Sequence, residues 1–149
     1  MITHIKGDAT EPIGEGVKLL CHIVNDKNQW GAGFTGALSK KWKQPETMYR
    51  KMPIKQMGTI QLVEVAEDIF VVNMIAQTLF SKFLRDEIPL NYEALEKCLR
   101  HVNKIAERYG FSVHGPKFGS GLAGGNWNVI EQMINDIFKN VNVYIYDLN

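Results

Sequence analysis

The sequence predicts an α/β fold with a parallel or mixed sheet, and three observations carry that prediction. Residues 111–118 mix β-branched and aromatic side chains like a buried strand, and they run into Phe118-Gly119-Ser120-Gly121-Leu122-Ala123-Gly124-Gly125-Asn126-Trp127. Beyond it Ile130, Met133, Ile134, Ile137, Phe138 and Val141 repeat at helical spacing, so the unit is strand, glycine loop, helix. Residues 17–24 are apolar with few interruptions, as expected of a strand covered on both faces, and lead through a second glycine-bearing loop to a helix over 35–43. Between these units, 59–65 and 69–76 form two apolar strands joined at Ala66-Glu67-Asp68, a hairpin.

The remaining elements follow in order. Residues 2–6 alternate Ile2, His4 and Lys6 against Thr3 and Ile5, a short strand that stops at Gly7-Asp8 and leaves His4 at the surface. Asp8 then serves either as a turn former or as a carboxylate at the sheet's ligand edge, accepting a hydrogen bond from an amino group. The helix over 35–43 gathers Phe34, Leu38 and Trp42 on one face and gives Lys40, Lys41 and Lys43 to solvent. Residues 44–57 carry Pro45 and Pro53 and read as a short helix bounded by breaks, while 77–89, with Phe80, Phe83, Arg85 and Asp86, is irregular and could cover a cleft. A strong helix spans 91–109, with Tyr92, Leu95, Leu99, Val102, Ile105, Ala106 and Tyr109 as its core stripe, His101 off that stripe and Gly110 as its stop. His114 and Lys117 read as structural, and an alternating strand over 142–148 completes the sheet.

Length and composition narrow the function classes. At 149 residues the chain fits one domain, 1–149, with a core of its own and no internal repeat or linker. Its 45% hydrophobic and 22% charged content is that of a soluble globular protein, and a net charge of +1 draws it as a whole neither to nucleic acid nor to an anionic membrane. A small ligand fits better. Cys21 and Cys98 are expected reduced and buried, too few for a structural zinc site, and with no signal peptide or long apolar span the setting is expected to be cytoplasmic.

The two loops are where chemistry is expected. Glycines at 119, 121, 124 and 125 let the backbone lie against an anion and point N–H groups at a phosphate or pyrophosphate; the bland alternative is a flexible connection. In the first loop, Asn25 and Asn28 can donate to and accept from sugar hydroxyls, ahead of Gly31 and Gly33. His22 shares a face with Leu20 and Val24 at the end of its strand. It is either a histidine satisfied by the core or an acid, base or nucleophile beside the loop. Two such loops at strand ends suggest a cleft in which one holds a diphosphate and the other closes over the attached sugar. Gly119, Gly121 and Gly124 also satisfy the dinucleotide fingerprint, with Asp147 near the ribose-binding distance. That unit normally comes first and needs strands after the acid, which leaves an oxidoreductase as the weaker reading.

Taken together, Gly7-Asp8 after the first strand, Val24-Asn25 leading through Asn28 to Gly31-Ala32-Gly33, Asn73-Met74-Ile75-Ala76-Gln77 at the end of the hairpin, and Gly119-Ser120-Gly121-Leu122 resemble a macro domain over nearly the whole chain. The resemblance implies a three-layer α/β/α fold around a central mixed sheet of about six strands, and a cleft for ADP-ribose or its derivatives. It implies Asp8 at the adenine amino group with the backbone of Ala9 nearby, and Asn25 and Asn28 by the distal ribose. Gly31, Ala32, Gly33 and Phe34 would form the first loop, and Gly119, Ser120, Gly121, Leu122, Ala123 and Gly124 would wrap the diphosphate. His22 followed by Asn25, Trp30 and the G-x-G loop looks most like the branch that dephosphorylates ADP-ribose 1″-phosphate. For that branch the implied catalytic residues are His22 and Asn28, with Trp30 at the ligand and neither metal nor other cofactor. The implied partner is ADP-ribose or a derivative, an ADP-ribosylated protein being a further candidate; no nucleic acid or membrane partner is expected.

The sequence also departs from that pattern. The Ala-Ala-Asn segment of many macro domains is Asp26-Lys27-Asn28, and the middle glycine of the first loop is Ala32. In the branch that removes ADP-ribose from protein carboxylates, an aspartate stands at the position of Ala123 and a lysine aligns with Glu64, so that lysine-aspartate chemistry lacks both groups here. Two classes remain: a metal-independent hydrolase of an ADP-ribose derivative, with ADP-ribosyl-protein or O-acetyl-ADP-ribose as alternative substrates, and a reader that binds ADP-ribose without turnover.

Overall fold

In a computed structural model of the chain, which describes residues 2–30, 33–79, 88–121 and 123–148, ten elements alternate between sheet and helix. They are β1 (Ile2–Lys6), β2 (Lys18–Asn25), α1 (Phe34–Lys41), α2 (Gln44–Lys51), β3 (Ile60–Ala66), β4 (Ile69–Gln77), α3 (Tyr92–Tyr109), β5 (Ser112–Gly115), α4 (Trp127–Ile137) and β6 (Val143–Asp147). The strands form one six-stranded sheet in the order β1-β6-β5-β2-β4-β3. Every neighbouring pair is parallel except the β3–β4 hairpin, which makes the sheet mixed.

Strand alternation assigns each face its helices. In β2, Leu19 and Cys21 join Val72, Met74 and Ala76 of β4 under α3 and α4, where Leu95, Leu99, Ile130 and Ile134 are buried. The intervening Leu20 and Val24 turn the other way, with Val71 and Ile75, to meet Leu38 of α1 and Tyr49 of α2. The result is a three-layer α/β/α domain. Each fully buried leucine or isoleucine contributes roughly 2 kcal/mol, so two helical layers on one sheet supply most of the folding free energy. α3 is bounded as its sequence dictates: the Asn91 side chain accepts from Ala94 N at 2.9 Å, and Gly110 takes φ 72° as the left-handed stop.

Two expectations change. The strand expected over 111–118 is only Ser112–Gly115, because Pro116 has no N–H to continue the ladder and the backbone at Gly115 approaches β2 so closely that a Cβ there would lie 2.7 Å from the Cys21 carbonyl oxygen. Tyr109, assigned to the α3 core stripe, is instead 60% exposed. It is the last helical residue, and its ring stacks on Phe111 at 5.5 Å across the turn. Cys21 and Cys98 are both free and buried. Among the described residues no helix is long and apolar enough to cross a membrane, and no group of three or more His, Cys, Asp or Glu stands together to hold a metal. The cover expected of 77–89 falls largely on 80–87, outside the described residues.

Candidate functional site

β2 and β5 are parallel neighbours, so the chain leaves both at the same edge of the sheet. This is the carboxyl edge where ligands of open α/β sheets bind. The two loops rise side by side there and enclose a cavity of about 610 Å³, a volume in the range of small-molecule sites. Its walls include Ile23, Trp30, Phe34 and Phe118, with His22, Asn25 and Gln77 at the strand ends, and Gly33, Gly119, Gly121 and Ala123 from the loops.

His22 is 1% exposed. Its Nε2 hydrogen-bonds Asn73 Oδ1 on β4, the residue directly opposite in register, while its Nδ1 is buried without a partner. Trp30 meets the ring edge-on at 5.4 Å and Phe34 lies 5.8 Å away. Burial pushes the imidazole down to about 4, the bond to Asn73 opposing that shift in part, so the ring is neutral at pH 7.

The first loop is built around Asn25. Its Nδ2 donates to Gln29 O at 2.8 Å, and its Oδ1 accepts from Lys27 N at 2.9 Å and Gln29 N at 3.2 Å. The Tyr49 hydroxyl lies 2.7 Å from Asn25 O and 2.9 Å from Asn25 Oδ1, which locks the strand end onto α2. Thus Asn25 lines the cavity while its amide holds the loop. Trp30 is fixed in turn: Nε1 donates to Ser39 Oγ at 2.8 Å, and Ser39 to Glu46 Oε1 at 3.2 Å. Arg50 binds Glu46 at 2.8 Å and donates to the Asn28 carbonyl at 3.0 Å, where Asn28 turns the chain at φ 58°.

The second loop is folded by its own backbone. Gly125 N donates to Gly119 O at 2.7 Å, Gly124 N to Gly121 O at 3.0 Å, and Leu90 N to Ala123 O at 3.0 Å. Gly119 sits at φ 83°, where a Cβ would lie 3.0 Å from Ile130 Cδ1 and 3.1 Å from Ile23 Cδ1, so this turn needs glycine twice over. Ser120 Oγ donates back to Lys117 O at 2.7 Å. The start of α4 is capped by the Asn126 side chain, which accepts from Asn128 N at 2.9 Å.

Not all predicted site residues gather at the cavity. His22, Asn25, Trp30, Gly33, Phe34, Gly119, Gly121 and Ala123 line it, whereas Asp8, Ala9, Asn28, Ser120 and Gly124 are not among the lining residues. Gly31, Ala32 and Leu122 lie outside the described residues. Asp8 closes an Asx turn, its Oδ1 accepting from Thr10 N at 2.9 Å and Thr10 Oγ at 2.8 Å. The sequence reading missed Gln29, Thr35, Gln77 and Lys117, which also line the cavity. The strand expected to run through Lys117 ends at Gly115, and Lys117 Nζ stands 3.5 Å from Asp147 Oδ2. Gln77 could have been found from its place at the end of β4, beside the end of β2.

Such a site combines aromatic walls, a glycine turn, one lysine and a neutral buried imidazole. No family model matches the chain. It is 28% identical over 161 residues to mouse chromodomain-helicase-DNA-binding protein 1-like, matching 97% of this chain but spanning only 17% of that relative's length. Among solved structures, a Bacteroides thetaiotaomicron protein of unknown function is 44% identical with a TM-score of 0.94, covering 99% of this chain and 98% of its own. A macrodomain protein from Streptomyces coelicolor is 36% identical with a TM-score of 0.84, covering 99% of both chains. With that identity sustained from end to end and the sheet order and two-loop cleft described above, the chain belongs to the macrodomain family.

Proposed function

We propose that this macrodomain binds ADP-ribose in the cleft between its two loops and hydrolyses ADP-ribose 1″-phosphate to ADP-ribose and phosphate without a metal. Several observations support the ligand: a cavity of about 610 Å³, aromatic walls for a base or sugar face, and Lys117 beside the glycine turn for phosphate charge. A mutant of the Oceanobacillus iheyensis macrodomain, which shares this fold at 15% identity and a TM-score of 0.73, has been solved with ADPR. The observation that carries the hydrolase reading is His22, buried on the cleft wall with Nδ1 unpartnered. A reader needs only the loops, whereas a buried nitrogen left unbonded on a residue of the cleft wall keeps a lone pair in reserve for a proton or a bond during turnover.

The test is phosphate release from ADP-ribose 1″-phosphate by the purified chain in chelator, with ADP-ribose affinity measured by calorimetry on the same sample. The expected result is release that falls at least about 100-fold in His22→Ala while ADP-ribose binding persists. Full turnover by a folded His22→Ala protein, or binding with no release by the unaltered chain, would refute the phosphatase; the second outcome would leave a reader or a hydrolase of another ADP-ribose derivative.

A further inference from the structure

We propose that Asn73 is a positioning residue that holds His22 in one tautomer, proton on Nε2 and lone pair on Nδ1, so that the unbonded nitrogen of this cleft-wall residue is a hydrogen-bond acceptor and not a donor. This rests on the site reading above and adds to it a residue on β4, away from both loops.

The tautomer follows from a chain of amide orientations that ends on two backbone carbonyls. Gln61 on β3 places Nε2 3.0 Å from Met48 O, and a carbonyl oxygen can only accept. Its Oε1 is therefore the end that faces Asn73, 3.0 Å from Asn73 Nδ2. Asn73 Nδ2 also donates to Pro45 O at 3.2 Å, again a group with no proton to give. Both protons of the Asn73 amide are committed to these partners, so Oδ1 faces His22 as an acceptor. The neutral ring must then carry its proton on Nε2. Reversing the Asn73 amide would set its oxygen against two acceptors, Pro45 O and Gln61 Oε1, where Asn73 is 0% exposed.

The consequence lies on the other nitrogen. With Nε2 protonated, Nδ1 presents a lone pair, and it is this atom that is buried and unpartnered in a residue lining the cleft. A satisfied core histidine would use both nitrogens, as His114 does: Nε2 lies 2.7 Å from Ser112 Oγ and Nδ1 2.8 Å from the Tyr146 hydroxyl. Of the two buried histidines, one is thus bonded on both sides and the other only on the side away from its free acceptor. Pro45 and Met48 belong to α2 and Gln61 to β3, so the protonation site of a cleft residue is set from a part of the fold that does not line the cleft.

The experiment is nitrogen-15 NMR of the protein labelled at histidine, with His22→Gln to assign the resonances, beside phosphate-release kinetics for Asn73→Leu. The unaltered protein is expected to show His22 Nδ1 at the shift of an unprotonated ring nitrogen and Nε2 at that of a protonated one. Asn73→Leu is expected to move both toward averaged shifts and to lower kcat about 10- to 100-fold with KM changed less than threefold. A proton on Nδ1 in the unaltered protein overturns the proposal, and that measurement needs no activity. Should the unaltered chain release no phosphate, the hydrolase reading fails by itself while the NMR still decides the tautomer; a folded Asn73→Leu with the original kcat and unaltered shifts refutes the role of Asn73.

Discussion

Lowering the pH from 7 to 5 is expected to destabilise this protein through its two buried histidines, and the size of the loss follows from the structure. Burial holds His22 down to about 4, with the bond to Asn73 opposing it. His114 is likewise pushed down to about 4, by burial first and then by the charge of Lys18. In the unfolded chain both return to an ordinary value near 6.5. The unfolded state therefore takes up protons that the folded state refuses, so stability is full above pH 7 and falls as the pH drops from about 6.5 toward 4. At pH 5 each histidine has cost about 2 kcal/mol, and the pair about 4 kcal/mol, against a total of roughly 5–15 kcal/mol for a domain of this kind. Urea unfolding at pH 7 and pH 5 measures the loss, and His114→Gln isolates one share of it: carboxylates contribute alike to both proteins, so the variant should lose about 2 kcal/mol less than its parent over the same interval. Equal losses in the two proteins would mean that His114 titrates normally in the fold, and the reasoning from burial would be wrong.

Two further outcomes follow from the loops. Gly119→Ala places a Cβ at φ 83° within 3.3 Å of Ile130, Ile23 and Leu90, and is expected to cost about 1–3 kcal/mol in urea unfolding and to weaken ADP-ribose binding measured by calorimetry. A variant as stable as the parent would show that the turn relaxes at no cost. Tyr49→Phe removes the hydroxyl that reaches Asn25 O and Oδ1 and is expected to cost about 1–2 kcal/mol, with faster amide hydrogen exchange over residues 25–30. Unchanged exchange there would mean that the Asn25 amide holds the loop unaided.

What was legible in the sequence and what was not divides along physical lines. Elements whose signal is local were read nearly to the residue: β1, the β3–β4 hairpin and α3 depend on alternation, a short turn, and an Asn cap with a Gly stop, all contained in a few neighbouring side chains. The end of β5 is legible only in part: Pro116 is a local stop, whereas the close approach of Gly115 to the Cys21 carbonyl is a contact between strands far apart in sequence. Tyr109 departs from its expected place because helical periodicity continues to the last residue of α3 whereas burial does not. The loops that make the cleft could be found from glycine, asparagine and histidine at strand ends. Asn73 could not be given its place in that site, because nothing in an apolar β4 run tells which residue of β2 lies opposite until the register His22↔Asn73 is known.

That register also bears on what would separate the two proposed roles, reader and hydrolase. The cleft is walled by loops that fold on themselves, through Asn25 in one and the Gly119–Gly125 pairing in the other, and neither set of bonds requires His22 to be histidine. An apolar residue at position 22 would lie beside Leu20 and Val24 without leaving any polar atom unsatisfied on its own ring. Asn73 would then have lost its partner, in a layer where its Nδ2 is already bound to Pro45 and Gln61. A buried amide with a free carbonyl costs about 1–3 kcal/mol, so His22 and Asn73 are coupled: replacing both by apolar residues should be tolerated better than the sum of the two single changes. A double-mutant cycle on His22→Leu and Asn73→Leu reads that coupling as stability, while ADP-ribose affinity and phosphate release read the site. If the paired variant is stable and still binds ADP-ribose but releases no phosphate, the pair serves turnover and the loops alone serve recognition; if binding is lost with it, the imidazole belongs to the ligand's seat, and a reader would need it too.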